Sequence, residues 1–181
     1  WQDMTAAVRL AVKHLADRGD DLPLYLVGYS NGAALAVDYA LSTLESDDNP
    51  PVKGLVLLSP EIGVTSAAAL AVWQARLGHL LGLEKLAWND ILPEYEPFKY
   101  GSFAVNAGDV SYRLTREIRR KVERLRAAGS LEGMPPVLAF SSVIDATVVA
   151  PALVNNLFNQ LPEGGHELVL FDLNRRAGDA P

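Results

Sequence analysis

Leu24-Tyr25-Leu26-Val27-Gly28-Tyr29-Ser30-Asn31-Gly32-Ala33-Ala34 is the stretch on which the reading of this chain turns. Four apolar residues run into Gly28-Tyr29-Ser30-Asn31-Gly32, a G-x-S-x-G pattern. A helix-forming stretch with Leu35, Val37, Ala40, Leu41 and Leu44 follows. A strand that turns sharply into a helix at such a pentapeptide is the context of a nucleophile elbow, which lifts a serine hydroxyl above the sheet edge. The flanking glycines let neighbouring backbone approach without a Cβ clash. The pentapeptide alone recurs by chance. Set between strand and helix, it points to serine-nucleophile chemistry.

Outward from the elbow, helical and strand patterns alternate. From Gln2 to Arg18, Met4, Val8, Ala11, Val12 and Leu15 share one helical face, and Gly19 is a stop. Leu24 to Val27 is too apolar to have a wet face, which predicts a sheet covered on both sides. Val52 to Leu58 is a second buried strand, closed by Ser59-Pro60. Val137 to Ser142 is a third, Pro151 opens a short helix in its first turn, and Glu167 to Phe171 makes a last strand. Such alternation predicts an α/β fold with a mostly parallel sheet and right-handed crossovers.

The stretch from Glu61 to Pro136 differs in character. It predicts a helix from about Ser66 to Leu81, then an irregular aromatic segment from Trp88 to Phe103. A long amphipathic helix follows, with Val110, Leu114, Ile118, Val122 and Leu125 as its stripe and Gly129 as its stop. This stretch reads as a cap over the carboxyl edge of the sheet, where ligands bind in open α/β folds.

Composition removes several function classes. The net charge of −6 gives no electrostatic footprint for a nucleic-acid partner. Without cysteine there is no disulfide, thiolate nucleophile or cysteine-ligated metal. No apolar stretch approaches the roughly 18 residues of a membrane span. The three histidines are scattered and the carboxylates lack ligand spacing, so no metal site stands out. No phosphate-cradling loop is present, and no cofactor is implied.

The chain resembles the α/β-hydrolases, specifically their lysophospholipase and monoacylglycerol-lipase-like branch, often filed with serine aminopeptidases of the S33 type. The likeness is carried by Leu24 to Ala34, by Gly54-Leu55-Val56-Leu57-Leu58-Ser59-Pro60 and by Ile144-Asp145-Ala146-Thr147-Val148. It implies a mostly parallel sheet flanked by helices, with a helical cap insertion. The implied division is 1–60 core with the elbow, 61–135 cap, and 136–181 core with the acid loop and last strand. It also implies that the family's first strands and the end of the fold are missing. The chain starts at Trp1 and ends at Asp179-Ala180-Pro181, and is expected to be a piece of a longer protein.

The candidate site residues follow. Ser30 is the expected nucleophile, and it needs a histidine base to take its proton. The bland alternative is a helix N-cap serine. The Asn31 backbone N–H, directly after the nucleophile, is the expected oxyanion donor. Asp145, three residues past the third core strand, is the acid that the resemblance implies for orienting the histidine; otherwise it is a loop aspartate. Glu61, after Ser59-Pro60, is the alternative acid. His14, His79 and His166 are poorly placed as bases, so the triad histidine is expected from the remainder of the parent chain.

Trp73, Trp88, Tyr95, Phe98, Tyr100 and Phe103 fit either an acyl pocket or a cap core, because both use the same residue types. The basic helix carrying Arg113, Arg116, Arg119, Arg120, Lys121, Arg124 and Arg126 fits contact with an anionic membrane surface. More often such a face is simply solvated and laced with pairs such as Glu117 to Lys121. The resulting expectation is a serine hydrolase cleaving a small-molecule ester or lipid through an acyl-enzyme. Amide or aminopeptidase chemistry on the same scaffold, and a non-catalytic binding relative, are the alternatives.

Overall fold

The computed structural model describes residues 1–18, 22–63, 88–90, 103–143 and 150–172. The chain opens with α1 (Gln2–Ala16), then β1 (Tyr25–Tyr29), α2 (Asn31–Thr43) and β2 (Gly54–Leu58). Two short strands follow, β3 (Trp88–Asp90) and β4 (Phe103–Ala104), then the long helix α3 (Val105–Ala127). β5 (Val137–Ser142), α4 (Ala150–Asn156) and β6 (His166–Phe171) complete the described elements. The helix expected near Ser66 to Leu81 and the loop carrying Asp145 lie outside the described residues. The segment expected to be irregular is bounded by β3 and β4, which pair antiparallel across a register shift.

β1, β2, β5 and β6 form one sheet in that order, all parallel, as the alternation requires. Tyr25 pairs with Gly54, Leu55 with Val137, and Val137 with His166. The carboxyl ends of all four strands therefore lie along one edge.

α2 explains how the core is built. Ala33, Ala34, Ala36, Val37, Tyr39, Ala40 and Leu41 are buried, so the helix is apolar on nearly every side. A helix of that kind is an interior one. It packs on β1 and β2 beneath, with α1 and α3 beside it. Of the stripe read from the sequence, Leu114, Ile118, Val122 and Leu125 are buried in the same core, and Val110 is half-buried.

The sheet is not buried equally on its two faces. Leu55, Leu57, Val137 and Ala139 are enclosed on the face that α2 covers. Tyr25, Val27 and Tyr29 on the opposite face are exposed. The expectation of cover on both sides holds for one face only among the described residues.

Candidate active site

Ser30 sits between the last residue of β1 and the first of α2, with φ 52° and ψ −119°. An L-residue rarely adopts a positive φ, and holding one there costs of order 1–3 kcal/mol. Hydrogen bonds over-determine the conformation. The Ser30 N–H donates to Leu58 C=O at 2.9 Å. The Ser30 C=O accepts from Ala33, Ala34 and Glu61 N–H at 3.1, 3.3 and 3.2 Å. The turn is thus fixed by its own helix and by the segment after β2. Ser59, the register neighbour of Ser30 after β2, also has positive φ, at 42°, and donates its N–H to Phe140 C=O at 2.7 Å.

The two glycines of the pentapeptide do different things. A Cβ on Gly28 would meet Ala33 Cα and Gly32 O at 2.5 Å. The first turn of α2 therefore lies against bare strand backbone, and only glycine fits. A Cβ on Gly32 would meet nothing within 4 Å. The expectation that both glycines relieve a clash is met at Gly28 alone.

Capping does not account for Ser30, because its side chain makes no cap hydrogen bond. The hydroxyl stays uncommitted among the described residues. The Asn31 N–H, one of the orphan donors of the first helical turn, also meets no acceptor among them. The hydroxyl of the half-buried Ser30 and the Asn31 N–H thus adjoin each other at the positive end of α2, where negative charge is favoured. The Asn31 side chain turns away, its Nδ2 lying 3.7 Å from Met4 Sδ on α1.

Glu61 reaches the same edge by another route. Its N–H holds the Ser30 carbonyl, and its carboxyl lies near Ser111 of α3. Burial raises the Glu61 pKa above the usual carboxylate range, and Ser111 opposes that shift. The sequence suggested Glu61 only as an alternative acid. Its main-chain grip on the elbow carries no sequence signal, because any residue could supply it.

Asp145 lies outside the described residues, in the stretch that follows Val143 at the end of β5. His14 lies in the last turn of α1, exposed. His166 opens β6 at the amino edge, a strand length of roughly 17 Å from the edge that carries Ser30. Its Nδ1 is buried without a hydrogen-bond partner, and burial lowers its pKa. His79 is outside the described residues. Neither described histidine is brought to Ser30.

A cleft of about 730 Å³ lies elsewhere, lined by Leu15, Leu22, Pro23, Leu24, Pro50 and Pro51 among others. These residues lead into β1 and β2, so the cleft is at the amino edge and has no part in the elbow. Among the described residues no group of histidines and carboxylates is arranged to hold a metal ion.

The basic helix resolves into pairs. Arg113 meets Asp109 at 2.7 Å, Arg119 meets Glu123 at 3.3 Å, and Arg124 bonds Glu45 of the loop after α2. Lys121 does not pair with Glu117, as its spacing suggested. It is buried against Asp38 and Ser42 of α2.

A family model described as serine aminopeptidase, S33, matches residues 1–173. Among solved structures, the chain is similar to a monoacylglycerol lipase from Paleococcus ferrophilus, at 16% identity and a TM-score of 0.61, covering 94% of this chain and 64% of that one. It is also similar to a structure from a study of the metagenome-derived lipolytic enzymes LipS and LipT, at 20% identity and a TM-score of 0.62, covering 94% and 63%. A soluble variant of monoglyceride lipase from Saccharomyces cerevisiae, in complex with a substrate analog, matches at 15% identity and a TM-score of 0.55, covering 94% and 59%. The chain therefore spans less than two thirds of the length of these relatives. No curated protein gives a significant match.

Proposed function

Because the chain belongs to the serine aminopeptidase S33 family and has the α/β-hydrolase fold, we propose that it forms part of a serine hydrolase that cleaves carboxylic esters through an acyl-enzyme on Ser30. One observation carries this reading. Ser30 is held at positive φ with its hydroxyl uncommitted among the described residues, directly beside the Asn31 N–H, which meets no acceptor among them.

In this reading Ser30 Oγ attacks the ester carbonyl while a histidine base takes its proton. The Asn31 N–H donates to the oxyanion of the tetrahedral intermediate, a contribution of roughly 3 kcal/mol for one preorganised donor. Asp145 orients the histidine, which the described part of this chain does not supply. The intermediate collapses with loss of the alcohol, and water then releases the acid by the same route in reverse. The lipolytic enzymes among the structural neighbours support an ester or lipid substrate over a polymer.

The test is labelling of the purified protein with a fluorophosphonate serine probe. One adduct is expected, mapped to Ser30, and lost together with ester turnover in Ser30→Ala. Full turnover in that variant would refute the reading. The family's description favours a second reaction, release of an N-terminal residue from a peptide. Comparing kcat/KM on an ester and on the matched aminoacyl amide separates the two.

A further inference from the structure

α3 meets the elbow and its helix at successive points, in the same order along both. At the elbow end, the Glu61 N–H holds the Ser30 C=O at 3.2 Å and the Glu61 carboxyl lies near Ser111 of α3. Further down, Lys121 Nζ donates to Asp38 Oδ1 at 2.7 Å and to Ser42 Oγ at 2.8 Å. At the far end Arg124 bonds Glu45. Ten residues separate Ser111 from Lys121, and ten separate Ser30 from the midpoint of Asp38 and Ser42. At about 1.5 Å per residue each span is about 15 Å, so the two helices run side by side in step.

Apolar packing does not enforce that step. Leu114, Ile118 and Val122 recur every four residues and are all buried. An aliphatic row of even spacing presents nearly the same surface after a slide of one turn, about 5.4 Å. Helices do rearrange by ratchets of that size. The buried polar group is less tolerant. Moved one turn toward the elbow, α3 would part Lys121 from Ser42 and set Leu125 beside the Asp38 carboxylate. Moved the other way, it would set Glu117 beside Asp38, two like charges within the helical layer. Stability does not explain the pair, since well-packed apolar residues of the same volume serve as well or better. Directional bonds to Asp38 and Ser42 select one axial position, as a single buried polar residue does in a coiled coil.

We propose that Lys121, held by Asp38 and Ser42, is a positioning residue for the elbow. It fixes the axial place of α3 on α2, so that Ser111 stands beside Glu61 and the Glu61 main chain stays on Ser30. Among the described residues, Glu61 supplies the one bond to the Ser30 C=O that comes from outside α2. A residue kept at positive φ depends on such outside bonds. Lys121 lies about 15 Å down the helix from Ser30 and acts through Ser111 and Glu61. The catalytic consequence rests on the proposed acyl-enzyme at Ser30; the structural consequence does not.

The test compares the full-length wild type with two variants. Lys121→Met with Asp38→Leu lets the helices pack but removes what sets their step. Ser111→Ala keeps the pair and removes the contact it places. Amide hydrogen exchange reads the Glu61 N–H, and ester turnover reads Ser30. Both variants are expected to unfold close to the wild-type urea midpoint, with the Glu61 amide exchanging about 10-fold or more faster. Turnover is expected to lose about 10-fold in kcat with KM unchanged, as a slightly misplaced nucleophile requires. Ser111→Thr should restore both. Wild-type exchange at Glu61 in either variant overturns the proposal. Faster exchange at every amide alike also overturns it, because the pair would then serve stability alone. A wild type that hydrolyses no ester refutes the reading of Ser30, and the Glu61 exchange still decides this one.

Discussion

Lys121 of α3 donates to Asp38 of α2 across 2.7 Å, inside the helical layer, with the two side chains 8% and 1% exposed. Ser42 completes the arrangement. Its hydroxyl accepts from Lys121 Nζ at 2.8 Å and donates to Asp38 C=O at 2.7 Å. The pair sets how α3 lies along the helix that carries the elbow at its other end. Breaking such a pair leaves a buried charge without a partner. Lys121→Met alone should therefore cost about 3–5 kcal/mol, whereas Lys121→Met with Asp38→Leu should recover most of it. Urea unfolding of both variants checks this. Equal losses in the single and double variants would show that the pair does not act as a unit.

Gly28 and Gly32 should part company on substitution. Gly28→Ala drives a Cβ into the backbone of Ala33 and Gly32, where no side chain can move aside. A loss of at least about 2–3 kcal/mol is expected. Gly32 faces open space in the first turn of α2, so Gly32→Ala should leave stability unchanged or raise it by up to about 1 kcal/mol. Thermal unfolding of the two variants side by side reads the difference.

Ser30 stores strain that glycine would release. Ser30→Gly should stabilise the fold by about 1 kcal/mol while removing the hydroxyl. Ser30→Ala keeps the strain and removes the hydroxyl as well. If the glycine variant is no more stable than the alanine variant, the positive φ costs nothing measurable.

Glu61 gives a pH dependence whose sign follows from burial. Its folded pKa is raised, so between the ordinary carboxylate pKa and the folded value the native state holds the proton that the unfolded chain has lost. Stability from this group is full below the unfolded pKa and falls as pH rises through that window. Glu61→Gln removes the dependence. The variant should gain stability relative to wild type at pH 7 and gain nothing at pH 4, as read by urea midpoints.

His166 works in the opposite sense. Its folded pKa is lowered, so the unfolded chain binds a proton more readily. Stability is full above pH 6.5 and declines as pH falls below it. His166→Gln should flatten the decline between pH 6.5 and 5. An unchanged slope in that interval would mean that the ring ionises in the folded state without penalty.

Much of this molecule could be read before any coordinates. The period of apolar residues placed α1, β1, β2, β5 and the start of α2 within a residue or two, because covering a sheet leaves each element only one workable pattern. The stripe from Leu114 to Leu125 was legible for the same reason, and so was the strand-turn-helix setting of Ser30. These are local properties, and local spacing is what a sequence displays.

The tertiary structure decided the rest. Lys121 looked like one more cation on a wet face and proved to be the buried partner of a residue 83 positions away. No local rule connects the two; the packing of α3 on α2 does. Gly28 and Gly32 are equivalent in the pentapeptide, yet only the fold brings backbone to within 2.5 Å of one of them. Nor does the alternation along β1 show that Tyr25, Val27 and Tyr29 stand uncovered. Spacing fixes which residues share a face. What lies against that face is settled by chain far away in sequence, because burial depends on the whole assembly of elements.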